Sequence, residues 1–308
     1  MNSADIHTGL ELSPGDYAPV ERIVNEYGFV SLRANVDSFR SSLNSVGRVE
    51  VGIFGAFKAG KSSLINSIIG ETALPVGVVP VTAVPTHVLF GESPGVSVEF
   101  KDGAVRDISP GEIEQYVSER FNPSNTRNVA AVSIRTPSMR EYGRLIFTDT
   151  PGIGSSISGN TDESMRHLPF PGIALVAVSS LQPMSEDDIE LVSRLSEHCP
   201  EVSLVLTKSD LLSDGELAEV LSHLKAQASK AFNREIPVFP FSTVASDKDA
   251  RADAWRKNLF SSFLVPLADE ASKKAVDIAV YKFRRLLERT AELLELSLVA
   301  AEADGSDR

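Results

Sequence analysis

The run Gly55-Ala56-Phe57-Lys58-Ala59-Gly60-Lys61-Ser62-Ser63 brackets a short loop with glycines and ends it on a cation and hydroxyls, residue types that together bind a polyphosphate. The glycines let the backbone curl into a nest of N–H donors, and a following helix would add the positive end of its dipole. Lys61 would supply a mobile cation to the β- and γ-phosphates, and the Ser62 hydroxyl is a hard oxygen ligand for Mg²⁺. A β-like stretch, Arg48 to Phe54, precedes the loop, and Leu64, Ile65, Ile68 and Ile69 follow it at helical spacing. That strand-loop-helix context favours a phosphate loop over an ordinary glycine-rich turn.

Thr207-Lys208-Ser209-Asp210 closes the apolar run Val202 to Leu206, at the carboxyl end of an expected strand, where open α/β sheets place ligand contacts. An Asp there can accept from the N1–H and the exocyclic amine of guanine, a donor pair adenine lacks, so Asp210 would select the base and the Lys208 stem would cover the purine face. Taken alone, the tetrapeptide also suits a helix N-cap. Between the two motifs, Leu145-Ile-Phe-Thr-Asp149-Thr-Pro-Gly152 is a strand running into Asp-x-Pro-Gly. Asp149 could hold Mg²⁺ through water and the Gly152 N–H could contact a γ-phosphate, while a plain Thr-Pro-Gly turn explains the same residues equally well.

Thr82 lies in the Pro- and Gly-interrupted stretch Leu74-Pro-Val-Gly-Val-Val-Pro-Val-Thr82-Ala-Val-Pro85, the place for a loop carrying a second Mg²⁺-ligating hydroxyl. Pro237-Val-Phe-Pro-Phe-Ser242-Thr243 reads as a strand ending in small hydroxyl residues whose backbone N–H groups could reach the guanine O6.

These five elements in this order resemble a GTPase of the TRAFAC class. The segments Gly55 to Asn66 and Leu74 to Thr86 resemble the dynamin superfamily, in particular bacterial dynamin-like proteins, and the likeness extends over roughly Glu50 to Thr243. It implies GTP hydrolysis with Mg²⁺, with Lys61, Thr82 and Gly152 acting on the γ-phosphate and Ser62, Thr82 and, through water, Asp149 serving the metal. It further implies a nucleotide-dependent homodimer of GTPase domains, a helical neck leading to a stalk or a partner protein, and mechanical output in membrane remodelling through regions outside this chain. The interval between Lys61 and Asp149 is long enough for the extra hairpin and helix of an enlarged GTPase domain.

Two positions depart from that pattern. In dynamins a Ser commonly stands where this chain has Lys58, contacting the β–γ bridge and a monovalent cation also held by backbone carbonyls at positions matching Gly77 and Val79. The Lys58 ammonium could take that cation's place or point to solvent. Ras-type GTPases orient the attacking water with a Gln after the switch Gly, where this chain has the apolar Ile153. A slow nucleotide-dependent switch that recruits a protein partner therefore stands as the alternative, ahead of a ribosome-associated GTPase.

Apolar strand-like runs alternate with helical patterns along the chain, which predicts an α/β fold: an enlarged P-loop domain with a mostly parallel sheet covered by helices on both faces. Val96 to Phe100 and Ala104 to Ile108 read as a hairpin about a tight primed turn at Asp102-Gly103. The expected organisation is a disordered tail over 1–16, neck-like helices over 17–47, the GTPase domain over 48–265, a neck-like helix over 266–300 and a disordered tail over 301–308. Val20, Ile23, Val24 and Tyr27, then Val36, Phe39, Leu43 and Val46, form the N-terminal apolar stripes. Val276, Val280, Phe283, Leu287, Ala291, Leu294 and Leu298 form the C-terminal one, with Lys273, Lys274, Lys282, Arg284, Arg285 and Arg289 on a solvated face.

With 308 residues, 42% of them hydrophobic, the chain can bury one large core. A net charge of −12 opposes nonspecific nucleic-acid binding. A lone Cys199 precludes an internal disulfide, and no charged-then-apolar leader opens the chain, so a cytoplasmic protein with at most peripheral membrane contact is expected. No two of the five histidines have ligand-like spacing, and no zinc is expected.

Overall fold

The computed structural model describes residues 14–44, 47–75, 84–150, 170–183, 185–232, 234–244 and 248–306. Their strands are β1 (Val49–Phe54), β2 (Thr86–Phe90), β3 (Gly95–Phe100), β4 (Val105–Ile108), β5 (Val129–Thr136), β6 (Leu145–Asp149), β7 (Ile173–Ser179), β8 (Glu201–Thr207) and β9 (Val238–Pro240). They form one sheet in the order β4-β3-β5-β2-β6-β1-β7-β8-β9. From β6 to β9 every pairing is parallel, and β1 lies between β6 and β7 with Val51 opposite both Phe147 and Ile173. The antiparallel pairings are β2 with β6 and β3 with β4 and β5, so the enlargement is confined to one edge.

The central strands read as unbroken apolar runs because both sheet faces are covered. Within β7, Ile173 and Leu175 join the core under α3 (Lys61–Ile69), with Leu64 and Ile65. Ala174, Val176 and Val178 join the opposite core, with α5 (Glu186–His198) and α6 (Asp214–Phe232). The short α4 (Glu114–Val117) sits beside the hairpin insert, where Tyr116 and Val117 are buried. The hairpin forms as expected but not with a two-residue primed turn. Lys101–Gly103 make a three-residue connection with Gly103 at φ 84°, and the Ala104 N–H donates to Asp102 Oδ1. Gly in the left-handed region is what a three-residue connection calls for.

α1 (Pro14–Glu26), α2 (Arg33–Asn44) and the long α9 (Ala271–Ser306) pack together around Val20, Val24, Leu32, Val36, Phe39 and Leu286, a core of their own beside the sheet. Phe39 is sealed between Tyr17, at 5.3 Å, and Phe283, at 5.2 Å. α7 (Ala250–Leu259) continues through one turn of π-helix, Phe260–Leu264, into α8 (Val265–Asp269), which precedes α9.

Four sequence expectations need correction here. α1 begins at Pro14, inside the span read as a tail, because Tyr17 has the Phe39 ring to pack against. α9 begins at Ala271 rather than 266 and runs to Ser306, so residues 301–306 are helical; its charged and apolar sequence propagates a helix already nucleated by packing upstream. The buried seam of α9 is Ala271, Ile278, Ala279, Lys282, Leu286 and Thr290, whereas Val276, Leu287 and Leu298 are exposed, as is Tyr27 at the end of α1. The apolar positions traced a stripe adjacent to the one that packs, because the seam includes the polar Lys282 and Thr290. Lys282 accordingly is buried and not solvated. Val46, residues 1–13 and residues 307–308 lie outside the described residues.

Candidate functional site

β1 delivers Gly55 to the carboxyl end of the sheet, and the loop to Gly60 turns there into α3. Gly55 has φ 135°, and a Cβ at this position would lie 2.3 Å from the Ala177 carbonyl oxygen of β7, so only glycine lets the loop pass. Lys61 is buried. Its ammonium donates to the Gly55 carbonyl at 3.0 Å and the Ala56 carbonyl at 3.2 Å, closing the loop on itself. Burial lowers the Lys61 pKa from its ordinary value, while the nearby Asp149 opposes that shift.

The Ser62 hydroxyl donates to Asp149 Oδ2 at 2.6 Å, which brings the first turn of α3 against the end of β6. Asp149 is buried in this position. A carboxylate and a hydroxyl that meet in this way offer two hard oxygens, the donor set that suits Mg²⁺. Ser63 follows in the same helical turn. Asn66, one turn further along α3, accepts from the Ala73 and Leu74 N–H groups and donates to the Leu74 carbonyl, fixing the chain just before residues 76–83.

Lys208 gathers the second half of the site. Its ammonium donates to the Lys58 carbonyl at 3.0 Å, and its own carbonyl accepts from Ser180 Oγ at 2.7 Å, just beyond β7. It holds φ 57°, one of the few non-glycine positive values described. Thr207, buried beneath it, donates through Oγ1 to the Ala59 carbonyl at 2.7 Å, so that its side chain braces the phosphate loop. Asp210 accepts from Ser242 Oγ at 2.5 Å, which ties the base-reading candidate to the end of β9. Thr243 is exposed beside Ser242.

Gly55 to Ser63, Asp149, Thr207, Lys208, Asp210, Ser242 and Thr243 thus gather on the carboxyl ends of β1, β6, β8 and β9. Thr82, Gly152, Gly77, Val79 and Ile153 lie outside the described residues. Lys58 is exposed at φ 64°, its ammonium 5.4 Å from the centre of the Phe57 ring. Sequence reasoning had assigned no role to Asn66 or Ser180. Their signal is position alone, one helical turn past Ser62 and one residue past β7, and it acquires meaning only when hydrogen-bond partners are known.

Three large apolar side chains stand exposed on the loops that Lys208 ties together: Phe57 at 37%, Leu181 at 68% and Leu211 at 57%. Among the described residues no group of His, Cys, Asp and Glu is assembled to hold a metal by itself, and no helix is long and apolar enough to cross a membrane.

A sheet of this order, with a glycine-bounded loop entering α3 and Lys208 and Asp210 two strand-ends away across β7, defines a P-loop GTPase domain. The sequence profile of the Dynamin family matches residues 51–209, and the chain belongs to that family. It is 30% identical over 203 residues to an uncharacterized protein in the xynA 3′ region of Caldicellulosiruptor sp., covering 66% of this chain and 50% of that one. It is also 30% identical to dynamin-like protein 2 of Campylobacter jejuni, covering 70% of this chain and 34% of that protein. A solved structure described as an oligomerised bacterial dynamin pair aligns over 79% of this chain and 38% of its own, with a TM-score of 0.59 and 22% identity, a likeness of fold. The chain spans between a third and a half of the length of these relatives.

Proposed function

We propose that this chain hydrolyses GTP to GDP and phosphate with Mg²⁺, and that pairing of two GTPase domains accelerates turnover. The observation that carries the reading is the Lys208 bridge: one residue joins the phosphate loop, through the Lys58 carbonyl, to the strand end that bears Asp210. Phosphate binding and guanine selection then belong to one site.

In this reading the loop N–H groups from Ala56 to Ser62 and the amino end of α3 hold the β- and γ-phosphates, with Lys61 as their mobile cation. Lys61 leaves its carbonyl partners for the nucleotide, and burial there, which lowers its pKa against the opposing pull of Asp149, leaves its charge to be met by phosphate rather than water. Ser62 and, through water, Asp149 would hold Mg²⁺, which would supply positive charge to neutralise that developing on the phosphate oxygens. Thr82 and Gly152 are assigned to the second Mg²⁺ contact and the γ-phosphate on sequence position. Asp210, oriented by Ser242, accepts from the guanine N1–H and amine while Lys208 covers the ring, and the Thr243 backbone is assigned to O6.

Ile153 offers no polar atom to orient water, so intrinsic turnover is slow and the missing group comes from outside the protomer. The exposed Phe57, Leu181 and Leu211 around the nucleotide site support a second copy as its source, with a patch that excludes water on pairing. Mechanical output and peripheral membrane engagement are assigned by family likeness and would act through regions outside this chain, and a cytoplasmic location is assigned from the lone Cys199. The testing experiment is binding of GTP, GDP and ATP followed by steady-state hydrolysis with and without Mg²⁺. Micromolar guanine-selective binding with Mg²⁺-dependent phosphate release is expected, and equal affinity for ATP would overturn the assignment of Asp210.

A further inference from the structure

Lys282 lies in the middle of α9 and is only 8% exposed. Its ammonium donates to the Phe170 carbonyl at 2.7 Å and the Ser38 carbonyl at 3.3 Å. Ser38, on α2, donates its own hydroxyl to the same Phe170 carbonyl at 2.9 Å. One backbone oxygen therefore receives a cation from α9 and a hydroxyl from α2, two of the three helices of the small core beside the sheet. Lys282 forms no ion pair with any described carboxylate, and desolvation lowers its pKa against the weaker pull of Cys199 and Glu50. A buried lysine held by carbonyls is an expensive way to fill a seam, where an apolar side chain of the same volume serves stability as well or better.

What this cation grips is the start of β7. Phe170 stacks its ring on His198 at 3.9 Å and 11°. Pro171 lies against Gly52 of β1, where a Cβ would come within 2.6 Å of its ring, and Gly172 lies against Ile278 of α9, where a Cβ would come within 2.5 Å. Each residue of this triplet is fixed by packing or a hydrogen bond from a neighbouring element. β7 then runs to the nucleotide site: Ala177 backs Gly55 of the phosphate loop, and Ser180 holds the carbonyl of Lys208. The near end of one buried strand is clamped by α2 and α9, and its far end supports both the phosphate loop and the base-reading loop.

We propose that Lys282 is a positioning residue for GTP turnover, which fixes β7 lengthwise so that the packing of α2 and α9 and the geometry of the nucleotide site are set together. This rests on the GTPase reading above. A close-packed strand passes a shift at one end to the other, because packed interiors deform little. The coupling is reciprocal: nucleotide binding must alter the α2–α9 packing by the same free energy with which that packing alters the site.

The test compares the parent chain with Lys282→Met, which keeps the volume and removes the charge, and uses Ser38→Ala in case the first variant does not fold. Amide hydrogen exchange is measured across Phe170 to Leu175, α2 and α9, without nucleotide and with a non-hydrolysable GTP analogue plus Mg²⁺, alongside kcat and KM. The expected result is faster exchange at Phe170 and Gly172 in the variants without nucleotide. With the analogue, the protection it confers on α2 and α9 in the parent is lost, the analogue binds at least about fivefold more weakly, and kcat falls. Unchanged kcat with unchanged nucleotide-dependent exchange would overturn the proposal, as would a loss confined to thermal stability. A parent chain that fails to bind the analogue contradicts the GTPase reading itself, and that result is read before any variant is compared.

Discussion

The chemistry of this domain is concentrated in a few residues whose neighbours leave little room for substitution. Gly55 is the strictest case, since any side chain meets the Ala177 carbonyl. Gly55→Ala is expected to lose detectable GTP binding and to destabilise the fold by about 3 kcal/mol, read as affinity and as a fall in Tm. Asp210→Asn tests the base contact with a built-in rescue. The asparagine amide offers a donor where guanine also presents one, so GTP should bind at least about tenfold more weakly. Xanthosine triphosphate, whose ring carries a carbonyl in place of the amine, should gain; a variant that still prefers GTP removes Asp210 from that role. Lys58→Ala separates the two readings of that side chain. A lowered kcat with GTP affinity retained assigns the ammonium to the reaction, and an unchanged rate assigns it to solvent.

At the scale of elements, the sequence was most informative where local chemistry decides structure. The phosphate loop, the strand ends bearing Asp149 and Asp210, and the run of central strands were readable because glycine positions and unbroken apolar runs have few other uses. The seam of α9 was not. Periodicity finds apolar stripes, and here the buried stripe contains Lys282 and Thr290, whose presence makes sense only with the Phe170 and Leu286 carbonyls beside them. His198 was equally opaque as one of several scattered histidines. It caps the end of α5 against Phe170 and Asn35, and burial depresses its pKa to about 4 from an ordinary 6.5. The unfolded chain therefore takes up a proton on His198 that the folded chain refuses between pH 6.5 and 4, so stability falls as pH drops through that window. The full effect is roughly 3 kcal/mol. His198→Phe, which keeps the stacked ring, should flatten that part of the stability–pH curve relative to the parent. An identical curve would show that His198 does not resist protonation.

For the molecule as a whole, the sheet and its two cores form the nucleotide domain, and α1, α2 and α9 build a separate core against its flank. Catalysis across a dimer requires that two such molecules meet at the nucleotide site, where Phe57, Leu181 and Leu211 stand exposed on loops joined by Lys208. Placing a charge in that patch with Leu211→Glu should leave GTP affinity intact and remove any dependence of specific activity on protein concentration. Analytical ultracentrifugation with a non-hydrolysable analogue should then find the variant monomeric and the parent dimeric. The most direct measurement is GTP turnover per molecule across about a hundredfold range of parent concentration, with ATP as the control. For GTP the rate per molecule should climb with concentration, and ATP should not be turned over. A slow rate that stays flat, with tight GTP binding, would contradict catalysis across a dimer and make the chain a switch.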